Sequence, residues 1–349
     1  MMRNILKTLL PAVAAAVTLC AASGENYNVL FISDTHFGDA DTYEVIDAAS
    51  GKLRTKKDPR RMEKALPAYR AMFKDMAAHA DSRTAFVVEG GDLVEGWAKD
   101  QAAHAAQLRQ AMTEMKSFFS CPILGVTGNH DANGKFGRAA FDEVMLPHLR
   151  EAAKQPDLKD GNYTVRKGDD LWIFHDYYLG GSTRERLDFP IRILRGLDWK
   201  PRYVFLVTHA PLLQFPNAAI NELLAELDKY RSFILCGHTH RTLLLTAKRP
   251  GGTITQFSIG TLFTADTKKA MFKVVASTPE EFLPELRRRA TRFKCLDEVE
   301  KNLIPYLTEA WFIKGHGYAK IDISDAGVTI TVQSAYLAQK PIVVLKDGK

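Results

Sequence analysis

The sequence predicts an α/β layered fold, on three observations. Short apolar runs rich in β-branched and aromatic residues recur from residue 27 onward. They are mostly continuous rather than alternating, as suits strands buried on both faces. Segments with apolar side chains at helical spacing lie between them, and strands alternating with helices argue for a layered arrangement. Thirdly, a polar cluster follows most of the runs; in such folds the loops at strand ends open onto a common crevice.

The first residues stand outside this pattern. Met1–Lys7 carries Arg3 and Lys7 and no acid, Thr8–Leu19 is apolar and Ala-rich, and the small residues Ala21, Ala22 and Ser23 follow. That is the order of a secretory signal. The apolar run is too short for a comfortable membrane span and contains Pro11. Residues 1–22 are therefore read as a removable signal cleaved after Ala22, and residues 23–349 as one domain, exported to the periplasm or the medium with no transmembrane helix. Cys20 leaves lipidation as a minority alternative, disfavoured by the bulky Leu19 before it. Without residues 1–22 the formal charge falls from +6 to +4, a mild balance that suits an anionic substrate. Cys121, Cys236 and Cys295 remain, an odd number without metal-type spacing; Cys121 and Cys236 each flank an apolar run and are read as buried thiols.

Taken in order, the strand candidates are Val29–Ile32, Ala85–Val88, Ile123–Val126, Tyr203–Val207, Phe233–Cys236 and Ile254–Ile259. Met62–Ala78 and Gln101–Phe119 carry apolar residues at helical spacing. These elements make up a core of residues 27–262. Residues 263–316 are charged and partly helical in pattern, and are read as an insertion. Within it Thr278-Pro-Glu-Glu281 resembles a capping box with proline at the first helical position, and Pro284 is expected to disturb that helix early. Tyr318–Ile323 and Val328–Val332 alternate about Asp325-Ala-Gly327, which predicts a β-hairpin in the closing segment 317–349.

The chemistry sits behind the strands. Ser33-Asp34-Thr35-His36 follows the first run, Gly90-Gly91-Asp92 the second, Gly128-Asn129-His130-Asp131 the third, Thr208-His209 the fourth and Gly237-His238-Thr239-His240 the fifth. Five of the ten histidines fall at these points. Taken singly, each cluster is weak: a Gly-Asp pair is usually a turn, and a lone histidine is usually a satisfied core residue. Jointly they end strands and supply only oxygen and imidazole donors, a set that suits divalent or trivalent first-row metals.

In this order the blocks Asp34-x-His36, Gly91-Asp92, Gly128-Asn129-His130-Asp131, His209 and Gly237-His238-x-His240 resemble the calcineurin-like metallophosphoesterase signature, over roughly residues 27–260. The resemblance implies a β-sandwich of two mixed sheets flanked by helices. It implies two metals, Mn, Fe or Zn in divalent or mixed-valence form, bridged by Asp92. One would also be held by Asp34, His36 and His240, the other by Asn129, His209 and His238. A metal-bridging hydroxide would attack a small phosphate mono- or diester, nucleotides included. His130 would then contact the substrate and protonate the leaving oxygen, a task matched to imidazole near neutral pH. Asp131 is either its orienting partner or a turn-stabilising carboxylate. Asp92-Leu-Val-Glu95 lacks the tyrosine of the purple acid phosphatase branch, which argues against a tyrosinate-ligated iron. A nuclease or cyclic-nucleotide phosphodiesterase is the alternative within the family. A non-catalytic metal-bound envelope module would be expected to lack His130 or a ligand, and none is missing.

Two basic segments have a bland reading. Lys52–Arg61 is read as a solvated loop, and Arg287–Arg292 as a wet helix surface rather than a lid face. Neither has the interleaved aromatics of a single-strand platform, so no stable nucleic-acid complex is expected. Groups that select the substrate are expected on the Gly38–Arg61 loop, near His175–Tyr178, and in the insertion.

Overall fold

The computed structural model describes residues 18–19, 25–38, 42–46, 53–57, 62–96, 98, 100–132, 134–260, 271–334 and 339–348. Its elements run β1 (Tyr27–Ile32), α1 (Met62–Ala78), β2 (Thr84–Glu89), α2 (Gln101–Lys116), β3 (Ile123–Gly125), α3 (Gly137–Ala152), β4 (Tyr163–Lys167), β5 (Asp170–His175) and α4 (Thr183–Arg195). There follow β6 (Val204–Thr208), α5 (Ala218–Leu227), β7 (Ser232–Cys236), β8 (Thr242–Lys248), β9 (Thr253–Ser258), β10 (Lys273–Ala276), α6 (Pro279–Arg292) and α7 (Leu296–Asn302). The chain closes with β11 (Leu307–Lys314), β12 (Gly317–Ser324), β13 (Gly327–Ser334) and β14 (Ile342–Gly348). A small separate hairpin joins Thr42–Ile46 to Leu53–Lys57. Of the segment read as a signal, only Thr18–Leu19 is described; its backbone pairs with Arg166–Lys167.

Two mixed sheets result. One has the order β14-β13-β12-β1-β2-β3, the other β4-β5-β6-β7-β9-β8-β11-β10 with Thr18–Leu19 beside β4. In the first, β1, β2 and β3 are parallel and β12 antiparallel to β1. In the second, β5, β6, β7 and β9 are parallel, while β8 runs antiparallel to β9. The two sheets are thus mixed and flanked by helices, as expected.

The continuous apolar runs are explained by this layering. Within β6, Phe205 and Val207 join the core that also holds Phe31 and Phe86 of the other sheet. Val204 and Leu206 face the opposite way, into a second core with Leu187 of α4, Leu223 of α5 and Phe282 of α6. Strand β5 divides likewise: Trp172 and Phe174 point between the sheets, Leu171 and Ile173 outward. Period-two geometry with both faces buried needs an apolar residue at every position. Aromatic side chains dominate the gap between the sheets. Trp172 stacks on Phe205 at 4.1 Å and meets Phe86 of β2 edge-on at 5.0 Å.

A polar tie crosses the same gap. Arg202 grips the buried Asp170 with two bonds, 2.9 Å and 2.6 Å. Tyr27 of β1 donates to Asp170 (2.9 Å) and accepts from the Trp172 indole (2.9 Å). Removing one partner of a buried pair strands the other charge and its donors. Asp170→Ala is therefore expected to destabilise the fold by about 3 kcal/mol, read from the urea midpoint at unchanged slope.

Among the described residues of 263–316, α-helix occupies Pro279–Arg292 and Leu296–Asn302. There α6 begins as read, with Thr278 accepting from the Glu281 amide and Pro279 in the first turn. Glu281 reaches back to the Ser277 amide (2.8 Å) rather than to Thr278. Pro284 does not break the helix; the bond it forfeits would end on a carbonyl of the exposed first turn, which water satisfies. Strand β11 then enters the second sheet beside β8. It was overlooked because its start, Leu307-Thr-Glu309, is polar and half exposed. The hairpin about Asp325-Ala326 forms as read, extended by β14. Of the three cysteines, Cys236 is buried while Cys121 and Cys295 are partly exposed.

Candidate metal centre

Parallel strands deliver the candidate residues to one end of the sandwich. Asp34 and His36 follow β1, Asp92 follows β2, Asn129 follows β3, His209 follows β6, and His238 and His240 follow β7. Donor atoms of Asp34, His36, Asp92 and His240 lie within 4.8 Å of one another, and so do those of Asp92, His209 and His238. Asp92 is common to both groups. His36 Nε2 approaches His240 Nε2 to 3.0 Å, and His209 Nε2 lies 3.1 Å from Asp92 Oδ2. Asn129 Oδ1 sits 2.8 Å from His238 Nδ1, so the amide belongs with the second group. Asp34, His36, Asp92 and His209 are buried, whereas His238 and His240 are exposed and form the mouth.

The backbone is bent to make this possible. Asp34, His36, Asp92, His238 and His240 all have left-handed φ, between 48° and 69°. Among the described residues the other non-glycine cases are Lys154 and Lys294, which follow helix ends. Each such conformation costs on the order of 1–3 kcal/mol, and aspartate and histidine tolerate it better than most residues. Glycines let the bends meet. A Cβ on Gly128 would stand 2.1 Å from the Asp92 amide nitrogen and carboxylate, and one on Gly237 2.2 Å from Asp34 Oδ2.

Bonds from behind fix the donors. Ser33 Oγ donates to Asp34 (2.7 Å), and the His238 amide donates to the same carboxylate (3.0 Å). The His130 amide donates to Asp92 Oδ1 (2.7 Å). His209 donates from Nδ1 to the Gly90 carbonyl (2.8 Å), and His36 Nδ1 pairs with Glu95 Oε2 (3.0 Å). With Nδ1 committed in this way, Nε2 presents its lone pair to the cluster, the orientation usual for a metal-ligating histidine.

This arrangement fits metal ions on its own terms. His209 Nε2 is fully buried and makes no hydrogen bond. Burial disfavours the imidazolium of His209, yet the Asp92 and Asp34 carboxylates outweigh that and push it up to about 10. A site negative enough to hold a proton so tightly attracts a divalent cation by the same potential. At the mouth, His238 keeps one exposed edge, but protein packed around the rest of its ring, with His209 beside it, pushes it down to about 4, which keeps it in the neutral form a metal requires.

His130 stands apart from both groups. Its ring meets His36 edge-on at 4.5 Å, and its Nδ1 donates to the Glu95 carbonyl (2.8 Å). Asp131 takes the second of its two readings. Its carboxylate accepts from the Val94 amide (3.0 Å) and the Gly128 amide (2.9 Å), which ties the turn after β3 to the turn after β2. Burial, with Asp92 nearby, raises it to about 6. The residue overlooked is Glu95: its carbonyl holds His130 while its buried carboxylate holds His36. No local feature of the sequence marks it, since its role comes from pairing across two turns. Glu95→Gln is expected to cost about 10- to 100-fold in metal affinity or turnover, by metal titration alongside steady-state rates; wild-type values in both would make the carboxylate merely structural.

Of the segments expected to select substrate, Gly38–Arg61 is described only at Gly38, Thr42–Ile46 and Leu53–Lys57, where the basic stretch read as a solvated loop is instead a strand paired with Thr42–Ile46. Tyr178 does reach the centre, with its hydroxyl 3.5 Å from His238 Nδ1 and its ring 5.8 Å from that of His209. His175 does not; it is buried and bonded to the Arg186 carbonyl (2.9 Å).

Comparison with known proteins agrees with this geometry. Residues 27–242 match the family profile described as calcineurin-like phosphoesterase. The chain belongs to that family, and is a metal-dependent phosphoric ester hydrolase by membership. A dimetal phosphatase from Danio rerio is similar in fold, with a TM-score of 0.54 at 12% identity, over 91% of this chain and 98% of that one. So is GAP50, the anchor in the inner membrane complex of Plasmodium, with a TM-score of 0.50 at 12% identity over 93% and 89%. No curated protein sequence matches the chain significantly. No helix among the described residues is long and apolar enough to cross a membrane.

Proposed function

We propose that the protein is an exported dinuclear-metal phosphoesterase acting on small phosphate mono- or diesters. The observation that carries this reading is the sharing of Asp92 by two donor groups, since two cations held close together need an anion between them. One metal would rest on Asp34, His36, Asp92 and His240, the other on Asp92, Asn129, His209 and His238. Bound there, the metals would polarise phosphoryl oxygens and lower the pKa of water toward neutrality. The chain's own residues do the remainder. His130, partly exposed and held at Nδ1 by a carbonyl, protonates the leaving oxygen. Tyr178, beside His238, borders the path of the departing group. The exposed edges of His238 and His240 leave that path open to a small ester.

The N-terminal pattern of Arg3, Lys7 and the apolar run supports export. Its test is the N-terminus of the protein recovered from the periplasm or medium, expected to begin at Ser23. The activity test is elemental analysis of purified protein, expected to show nearly two metals per chain, with hydrolysis of nitrophenyl or bis-nitrophenyl phosphate in Mn-, Fe- and Zn-loaded forms. Stoichiometric metal without hydrolysis of either ester, in any form, would overturn the catalytic reading.

A further inference from the structure

Helix α6 does not carry a uniformly wet arginine face. Arg287 pairs with Glu300 and is half exposed, and Arg288 is more exposed still. Arg289, however, is buried, with 11% of its side chain accessible. It donates to Glu285 (3.2 Å) and to the side-chain oxygen of Gln214 (2.7 Å). Glu285 Oε1 also takes Arg288 (2.8 Å) and Arg241. Three guanidinium groups therefore converge on one carboxylate, leaving positive charge in excess. Burial, with Arg241 alongside, pulls Arg289 down to about 10.

A second observation points the same way. Gln214 is 1% exposed, and its Nε2 has no hydrogen-bond partner. The amide cannot be turned over to cure this, because Arg289 demands the oxygen. Buried donors thus outnumber acceptors at this place, and an unmade bond on a buried donor is costly. An anionic acceptor would satisfy the one orphaned donor and offset the guanidinium charge.

The cluster is also joined through the chain to two candidate ligands. Arg241 follows the candidate ligand His240 directly, so their Cα atoms are ~3.8 Å apart. Gln214 ends the short 3₁₀ turn that follows His209-Ala210-Pro211.

We propose that Arg241, Arg288 and Arg289, with the amide of Gln214, form an anion subsite that takes a second phosphate group of the substrate. The excess charge of the arginines matches a phosphate dianion, and forked guanidinium donors suit its oxygens. This inference rests on the phosphoesterase reading and narrows it: the preferred substrate bears two phosphate groups, one at the metals and one on the arginines.

The test is calorimetric titration of the metal-loaded protein with α,ω-alkane bisphosphonates of increasing spacer length, each against the alkyl monophosphonate of equal length. At the best spacer the bisphosphonate is expected to bind at least about tenfold more tightly. The ratio should fall toward one in Arg241→Met and in Arg288→Ala, the second an exposed position where folding is not at stake. A ratio near one at every spacer in the wild type, or an advantage that survives both substitutions, overturns the subsite. Because the readout is binding, it separates the two readings. A protein that shows this pattern but hydrolyses no ester keeps the subsite and loses the activity; one that hydrolyses nitrophenyl phosphate without the pattern does the reverse.

Discussion

Replacing Asp92 by alanine is expected to empty both metal positions together and to lower nitrophenyl phosphate hydrolysis by more than about a thousandfold. Asp92 is the one carboxylate common to both donor groups, and without it two cations would face each other unscreened. The metals' contribution to charge stabilisation is several kcal/mol, and each 1.36 kcal/mol is tenfold in rate. Asp92 also accepts from the His130 amide, so its loss frees the turn carrying the proposed acid. Elemental analysis should fall from nearly two metals per chain to well below one. Two retained metals, or activity within tenfold of wild type, would remove Asp92 from the centre of the site. His209→Ala is the contrasting case, since that residue belongs to one group only and should spare the other metal.

The second large effect is expected at His130. His130→Ala should reduce turnover by about 10²- to 10⁴-fold, the usual contribution of a positioned general acid, while metal content stays near wild type. The loss should be greatest for esters with poor leaving groups and small for nitrophenolate, which departs without a proton. A uniform loss across leaving groups would instead make His130 a substrate-binding group. Loss of metal would make it a ligand, together with His36 and Glu95, whose donor atoms lie within 4.8 Å of its own.

The parts that could be read from sequence are those fixed by period and by strand ends. Met62–Ala78 forms its helix with the bounds read from its spacing, and all six strand candidates are strands to within two residues. Candidate ligands could be found because each directly follows a buried strand. Other features were hidden for physical reasons. Glu95 acts through a pairing with His36 across two different turns, and nothing local distinguishes it from any loop glutamate. Asp131 had two readings because sequence adjacency to His130 suggests contact, whereas its carboxylate turns back to the Val94 and Gly128 amides. Tyr178 reaches His238 only once β5 is laid beside β6. Arg287, Arg288 and Arg289 are consecutive, but successive residues on a helix point about 100° apart, so one of the three turns inward.

The left-handed turns at five of the ligand positions bear on portability. A designer who copied the seven side chains onto a smoother scaffold would carry over the donors but not the bends that aim them. The bends in turn rely on glycines that leave room for them, at Gly128 and Gly237. The transferable unit is therefore five strand-to-loop corners, backbone included. Drift at the bent corners after β1, β2 and β7 is confined for the same reason: a branched residue at a left-handed position there would be penalised by its own main chain before its lost chemistry was ever tested.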